Sequence, residues 1–249
     1  MDTDEVEALL EKGIRPPFFY VAPNAQAPIG VSLSKEKRAK LLEIAHRYKV
    51  PVIEDDTYGF LTYEHNDERC LKAMSDDWVF YLGSFSKVIA PGLRLGWMVA
   101  PPVLLNTLTV LKEATDLESS GITQRGVSLY LDQGTFYTHI ETVRAEYQRR
   151  RDAMLQSLEE HFPKTATWSK PTGGMFIWVV LPNNVDSHKL LDYCLKEVQV
   201  AFIPGSAFAL PGANASSALR LNFASCKCEK IQEGIRLLGG AIAKYTSQQ

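Results

Sequence analysis

The chain has 249 residues, of which 45% are hydrophobic and 22% charged, and its formal net charge at pH 7 is −2. This hydrophobic content supports one large domain or two modest ones with buried cores. The nearly balanced charge and the lack of a basic stripe argue against nucleic acids and membranes as partners, and no apolar run approaches the ~20 residues of a membrane helix.

The first residues and the cysteines favour a cytoplasmic protein. Residues 1–5 are acidic, whereas secretory and mitochondrial leaders are basic. Four cysteines in a chain of this length are too few and too scattered for a disulfide scaffold. The pair Cys226 and Cys228 lacks the further ligands that a closed zinc site needs, so we expect no metal.

The first half of the chain alternates strand and helix patterns. Thr3 or Asp4 is the expected cap of a first helix, and Ser34 is the expected cap of a helix that reaches Lys49. Apolar and β-branched runs predict strands at residues 18–22, 50–54, 79–82 and 95–100. This alternation predicts an α/β fold with a largely parallel sheet.

The second half changes character after a helical middle. Helices are predicted at 103–113, 124–132, 138–161, 187–197 and 229–244, and strands at 176–181, 200–203 and 219–223. We therefore expect part of a large domain over residues 1–135 and a smaller α+β domain over residues 136–249. The run of arginines at 149–151 is expected to form a solvated helix face.

A lysine in a turn between two predicted strands carries the strongest chemical signal. Lys87 follows two hydroxyls, Ser84 and Ser86, and Arg94 comes seven residues later. A lysine in a loop is usually an ordinary surface residue. Here, however, the hydroxyls and the arginine offer donors for a phosphate beside the amine, and a partly desolvated lysine can form a Schiff base with an aldehyde.

Acidic residues follow the strand predicted at residues 50–54. Asp55 follows a buried run and Tyr58 comes three residues later. Ligands in open α/β sheets bind outside the carboxyl ends of the strands, and an aspartate there can pair with a protonated pyridine nitrogen. The alternative is that Asp55 and Asp56 only cap the next turn.

Two further segments are candidates for contact with a ligand. Residues 23–30 form a loop rich in proline and glycine, for which a structural role is as plausible as a binding role. Arg220 interrupts an apolar strand and needs an anionic partner there. A substrate carboxylate or a structural salt bridge would satisfy it.

In their order along the chain, these motifs resemble the fold-type I aminotransferases, and most closely the branch of the 2-aminoadipate and kynurenine aminotransferases. Residues 171–178 and 202–208 also resemble segments of the small domain in that branch, and the pattern S-x-S-K-x-x-x-P-G-L-R over residues 84–94 is highly specific. The resemblance covers essentially the whole chain. It implies a homodimeric aminotransferase that uses pyridoxal 5′-phosphate (PLP), an L-amino acid of aromatic or 2-aminoadipate type, and a 2-oxo acid.

The resemblance also implies a role for each matching residue. Lys87 would hold PLP as a Schiff base, Asp55 would pair with the ring nitrogen and Tyr58 with the phenolic oxygen. Ser84, Ser86 and Arg94 would bind the phosphate. Arg220 would bind the α-carboxylate of the substrate.

The sequence departs from the family pattern at two points. Ala27 stands where relatives usually have an asparagine that bonds the phenolic oxygen, which leaves a PLP-dependent lyase or an aminocyclopropane-carboxylate-synthase-like enzyme as an alternative. Relatives also have a long segment before the point that matches Met1. We therefore expect the 249-residue chain alone to be a poor enzyme that tends to self-associate, and a non-catalytic remnant is the third alternative.

Overall fold

Strands and helices alternate through the first half of the chain in the computed structural model, which describes residues 1–63, 69–75, 77–182, 185–210 and 212–247. The described residues form two compact units, Met1–Asn24 with Ser32–Glu141 and Ala25–Val31 with Thr142–Gln249. The segment Ala25–Val31 thus groups with the second unit although it lies early in the sequence.

The first unit contains a four-stranded sheet with flanking helices. Its strands are β1 (Phe19–Val21), β2 (Val52–Asp55), β3 (Val79–Ser84) and β4 (Gly96–Val99). Strands β1, β2 and β3 are parallel, and β4 pairs antiparallel with β3. The parallel core confirms the predicted α/β class, and the antiparallel β4 follows from the short turn between Ser84 and Gly96, which is too short for a parallel crossover.

The helices of the first unit supply its core. They are α1 (Thr3–Glu11), α2 (Lys35–Tyr48), α3 (Leu71–Met74), α4 (Leu105–Asp116) and α5 (Gly121–Asp132). Leu41 and Ala45 of α2 pack with Val52 and Val79 of the sheet, and all four are buried. Burial of an aliphatic side chain contributes about 1.5–3 kcal/mol, so this cluster is a main source of stability in the unit.

The cap of α2 was predicted correctly and that of α1 was not. The Ser34 hydroxyl accepts from Lys37 N at 3.4 Å, whereas α1 is capped by Asp2, whose side chain accepts from Asp4 N and Glu5 N. Asp2 has the extended backbone of an N-cap, and Thr3 is already the first helical residue. Neither predicted residue therefore stands at the cap position.

The second unit contains an antiparallel sheet in the order β5-β6-β8-β7. The strands are β5 (Thr167–Trp168), β6 (Phe176–Val180), β7 (Ile203–Pro204) and β8 (Ala218–Asn222), and the helices are α7 (Ser187–Glu197) and α8 (Cys228–Ser247). The strand predicted at 200–203 lies later, because only Ile203 and Pro204 pair with β8. The division between the units falls within the long helix α6 (Phe136–His161).

The predicted solvated face at residues 149–151 is only partly correct. Arg149 is exposed, but Arg150 donates to the carbonyl of Ala224 and Arg151 donates to that of Pro171 at 2.8 Å. These two side chains satisfy backbone acceptors within the second unit. Among the described helices, none has the length and apolar character needed to cross a bilayer.

Candidate active site

The carboxyl ends of two neighbouring strands bring the predicted cofactor residues together. Strands β2 and β3 are parallel, and Asp55 lies opposite Leu82 in their register. Asp55 ends β2, Ser84 ends β3, and Lys87 follows three residues after Ser84. Both strands therefore present their last residues at the same edge of the sheet, where α/β proteins bind ligands.

The Asp55 carboxylate is held from both sides. Its Oδ2 accepts from the Tyr20 hydroxyl, and its Oδ1 accepts from the Thr57 hydroxyl and from Thr57 N at 3.2 Å. The bond to Thr57 N is the turn cap that the sequence left open as an alternative. An ionised carboxylate has about four acceptor positions, so it can also pair with a further N–H group.

This arrangement raises the pKa of the Tyr20 hydroxyl. The pKa of Tyr20 is raised to about 12, first by partial burial of the phenol, although the residue is 56% exposed, and then by its bond to Asp55 and by that residue's charge. Tyr20 is therefore a neutral donor to Asp55 over the physiological range. Sequence reasoning missed it because nothing local to Tyr20 indicates a partner 35 residues away.

Asp56 has a different role from its neighbour. It is buried, and its two oxygens accept from Asn24 Nδ2 at 2.6 Å and from the Tyr81 hydroxyl at 2.9 Å. Burial is the main cause of its raised pKa, which the two hydrogen bonds partly offset. The bonds fasten the end of β2 to β3 and to the segment that follows β1, and Asp56 is a buried network residue instead of a turn cap.

A fully buried arginine extends this network. Arg38, on α2, has no exposed surface and donates to the carbonyl oxygens of Leu33 at 3.0 Å and Pro23 at 2.9 Å and to Asn24 Oδ1 at 2.7 Å. The planar guanidinium presents five N–H donors in a fixed fork and so satisfies several acceptors at once. Arg38 thereby fixes Pro23 and Asn24, the first two residues of the loop at residues 23–30. The apolar pattern of α2 gave no sign of it.

The turn that carries Lys87 is stabilised by its own backbone. Ser84 Oγ accepts from Ser86 N at 3.1 Å, and the Phe85 carbonyl accepts from Ile89 N at 2.9 Å. The Lys87 side chain is half-buried, and its amine has no hydrogen-bond or ion-pair partner within the part of the chain that the structure describes. Such an amine is available for reaction.

Gly83 allows an aromatic ring to pack beneath this turn. A Cβ atom at Gly83 would overlap the indole of Trp97, which lies opposite it in the β3–β4 register. The same indole packs against Phe85 in a tilted arrangement, with ring centroids 4.7 Å apart and an interplanar angle of 44°. Phe85 is therefore anchored through Trp97, and the hydroxyls on either side of it, Ser84 and Ser86, keep a fixed spacing.

Arg94 and Tyr58 complete the predicted set in the first unit. Arg94 is exposed, adopts a left-handed backbone with φ of 50°, and donates to the Pro91 carbonyl at 3.3 Å. Tyr58 is half-buried and precedes a short 3-10 helix, Gly59–Leu61. The long bond of Arg94 and its exposure leave most of its donors open to an anion.

Two predicted features lie in the second unit. The loop at residues 25–31 closes on itself through Gln26 N to Val31 O at 3.0 Å and Gly30 N to Gln26 O at 2.7 Å. Gly30 has φ of 70°, and a Cβ there would overlap Pro171, so the position requires glycine. Ala27 is exposed, and its methyl group cannot donate the hydrogen bond of an asparagine.

Arg220 lies in the middle of β8 between two aromatic rings. Its guanidinium carbon is 4.0 Å from the ring centroid of Phe176 and 4.5 Å from that of Phe208. Cation–π contacts of this kind hold the planar group in one orientation. A planar guanidinium held in this way can present a pair of N–H groups to a carboxylate, which is the bidentate geometry.

The residues of the first unit fit PLP. The group needs an amine for its aldehyde, donors for its phosphate and an acceptor for its ring N–H. The amine of the half-buried Lys87, the hydroxyls of Ser84 and Ser86 with Arg94, and the anchored carboxylate of Asp55 are groups of these three kinds.

Comparison with known proteins points the same way. Residues 1–238 match the family model described as aminotransferase class I and II. Aromatic-amino-acid aminotransferase 1 of Thermococcus litoralis is 36% identical over 240 residues, which are 96% of this chain and 57% of the relative. An uncharacterised HTH-type transcriptional regulator of Bacillus subtilis is 33% identical over 241 residues, 95% of this chain and 49% of the regulator.

A solved structure supports the fold directly. The crystal structure of Pyrococcus horikoshii kynurenine aminotransferase, described as in complex with PMP, is 40% identical with a TM-score of 0.90, and the match covers 97% of this chain and 60% of that one. These findings confirm the predicted fold class. The chain spans about half to three fifths of the length of these proteins.

Proposed function

The chain belongs to the aminotransferase class I and II family, and on that premise we propose that it forms the lysine-bearing part of a PLP-dependent aminotransferase. The observation that carries the proposal is the half-buried Lys87 amine without a partner among the described residues, placed beside Ser84 and Ser86 at the sheet edge where Asp55 also ends.

Three residues of the first unit would hold the reactive part of the cofactor. Lys87 would bond covalently to its aldehyde carbon, Asp55 would accept from the ring N–H, and the Tyr58 hydroxyl would donate to the phenolic oxygen. PLP, when bound, supplies an electron sink for the negative charge that develops at the substrate Cα. The bonds from Tyr20 and Thr57 keep the Asp55 carboxylate oriented for that pairing.

The phosphate would be held by Ser84, Ser86 and Arg94. Ser84 Oγ accepts from Ser86 N, which leaves the hydrogen of the hydroxyl to donate to a phosphate oxygen. Arg94 adds a positive charge and a planar pair of donors, which match two phosphate oxygens. Together these groups would fix one end of the cofactor while its other end reacts.

Two residues would act on the substrate. Arg220 would bind the α-carboxylate through the guanidinium that Phe176 and Phe208 contact. Lys87 would act as a general base that takes the proton of the substrate Cα at its Nζ and holds it for return. Fixing the carboxylate limits the orientations of the Cα–H bond and thus favours this transfer.

The substrate class is proposed from the relatives. Similar proteins are named aromatic-amino-acid and kynurenine aminotransferases, so we propose an aromatic or 2-aminoadipate-like L-amino acid as donor and a 2-oxo acid as acceptor. A homodimer in the cytoplasm, with neither a nucleic-acid nor a membrane partner, completes the proposal.

Two other functions follow from specific observations. The methyl group of Ala27 offers no donor to the phenolic oxygen, which favours a lyase or an aminocyclopropane-carboxylate-synthase-like reaction. One relative is named an uncharacterised HTH-type transcriptional regulator, so a non-catalytic role is kept as the third candidate.

Product analysis separates these functions. The full native chain, saturated with PLP, is incubated with L-kynurenine, L-2-aminoadipate or L-phenylalanine and with 2-oxoglutarate, and the products are identified by mass spectrometry. Formation of glutamate in step with the keto product supports the proposal, and Lys87→Ala should lower the rate at least 100-fold, on the order expected for loss of a general base. Release of ammonia without glutamate indicates a lyase, and no reaction indicates a non-catalytic role.

A further inference from the structure

The first turn of α6 contacts the chain immediately after Lys87. His139 is half-buried, and its Nε2 lies 3.0 Å from the carbonyl oxygen of Val88. A carbonyl oxygen has lone pairs and no hydrogen, so Nε2 must carry the hydrogen and donate it. This contact fixes the tautomer of a neutral His139 and holds the peptide that follows Lys87.

The same helical turn also contacts the segment after Tyr58. Phe136, the first residue of α6, is buried and packs edge-on against Phe60 with ring centroids 5.4 Å apart. Phe60 lies in the short 3-10 helix that begins directly after Tyr58. One turn of α6 thus holds two segments that leave the carboxyl ends of β2 and β3.

The other described hydrogen bonds of the turn that carries Lys87 join residues 84–95 to one another. They join Ser84 to Ser86, Phe85 to Leu95, and the Phe85 carbonyl to the backbone N–H groups of residues 88–90. These bonds fix the curvature of the turn, but they do not connect it to a helix. The hydrogen bond from His139 connects the turn to helix α6, and its acceptor is the carbonyl oxygen of Val88, the residue after Lys87.

We propose that His139 is a positioning residue for Lys87. By holding the Val88 carbonyl, His139 sets the direction in which the lysine side chain leaves the chain, and thereby the angle at which its amine meets the PLP aldehyde. The proposal rests on the proposed function, because it concerns the residue that would carry the cofactor.

Three variants of the full native chain test the proposal. His139→Phe keeps a ring of similar size and removes the donor. His139→Gln places an amide N–H at nearly the same reach as Nε2 and restores the donor. Ile140→Val is the control: Ile140 is buried in the same turn of α6, so its shortening lowers stability without touching the Val88 carbonyl.

Each variant is loaded with PLP, and three properties are measured: the PLP dissociation constant, the visible circular dichroism of the bound cofactor, and the fraction of Lys87 trapped by borohydride. We expect His139→Phe to raise the dissociation constant about tenfold, as loss of one hydrogen bond allows, and to weaken the dichroism. His139→Gln should stay within about threefold of the wild type, and Ile140→Val should lower the melting temperature while leaving all three properties unchanged.

Other results overturn the proposal. Wild-type affinity and dichroism in His139→Phe, a His139→Gln variant no better than His139→Phe, or an Ile140→Val variant with the same losses would each show that His139 does not act through the donor. In all these cases, trapping on Lys87 leaves the proposed function standing. Absence of trapping on Lys87 in the wild type would instead reject both the function and the positioning role.

Discussion

The Tyr20 hydroxyl donates to Asp55 Oδ2 and so joins the edge strand β1 to the carboxylate at the end of β2. The pKa of this phenol is raised to about 12 by burial and by Asp55. A raised pKa means that the fold favours the neutral phenol. The contribution of the Tyr20 phenol to the free energy of unfolding is therefore complete below the ordinary pKa of 10.0, and it is lost as the pH rises through about 12.

We predict that Asp55→Asn lowers the pKa of Tyr20 towards 10.0 without reaching it, because the charge is removed and the burial remains. The titration can be followed by NMR of tyrosines labelled at Cζ, with Tyr20→Phe to assign the signal. An unchanged midpoint for Tyr20 in Asp55→Asn would mean that the two side chains do not interact in solution.

Asp56 should matter for stability more than an exposed acid does. In Asp56→Asn a single oxygen must serve the two donors, Asn24 and Tyr81, so one donor loses its acceptor. We predict a loss of about 1–3 kcal/mol in the free energy of unfolding by urea. Asp116→Asn is the control. Asp116 is half-exposed and pairs with Lys112 on the surface of α4, so Asp116→Asn should lower the free energy of unfolding by less than about 0.5 kcal/mol.

Asp56→Asn should also remove a pH dependence of the free energy of unfolding. Burial raises the pKa of Asp56 above its ordinary value of 3.8, so the fold favours the protonated carboxyl. The wild type therefore loses stability as the pH rises from 3.8 through the raised pKa of the folded protein. The difference in unfolding free energy between the wild type and Asp56→Asn should therefore be larger at acidic pH than at neutral pH. A difference that grows with pH would contradict the assignment of a raised pKa.

Gly83 should tolerate no side chain. We predict that Gly83→Ala lowers the free energy of unfolding by about 1–3 kcal/mol, since the new methyl group must displace the Trp97 indole that anchors Phe85. Gly126→Ala, in the interior of α5 with open space around it, should instead stabilise the chain by up to about 1 kcal/mol. Equal effects at the two positions would show that Trp97 does not confine Gly83.

Arg220→Lys should weaken amino-acid binding and leave the PLP content unchanged. The ammonium group cannot reproduce a bidentate pair or stack between Phe176 and Phe208, so we expect a loss of about 1.5–3 kcal/mol in binding a substrate carboxylate. The affinity is measured by spectral titration with a non-reactive amino-acid analogue. The control is Arg236→Lys, on the exposed face of α8. Loss of PLP with unchanged analogue affinity would make Arg220 structural.

The sequence predicted those features of the fold that depend on local patterns. The Ser34 cap, helix α7 and the glycine-rich turn after β3 each follow from residues that are neighbours in the chain. The parallel pairing of β1, β2 and β3 follows from the alternation of strands and helices.

The contacts around the site could not be predicted in this way. Tyr20 meets Asp55 across 35 residues, and His139 meets Val88 across 51. Arg38 is buried on a helix whose sequence is strongly charged, so its composition favours an exposed face. Such pairs depend on how the elements pack, and the periodicity of one element carries no information about them.

The central claim is that Lys87 carries the cofactor, and the most direct test is to locate the bond. The full native chain is incubated with PLP, reduced with borohydride, digested and mapped by mass spectrometry. We predict that the visible or near-ultraviolet band disappears on reduction and that the pyridoxyl group is found on Lys87. A pyridoxyl group on another lysine, or no labelled peptide, would contradict the assignment.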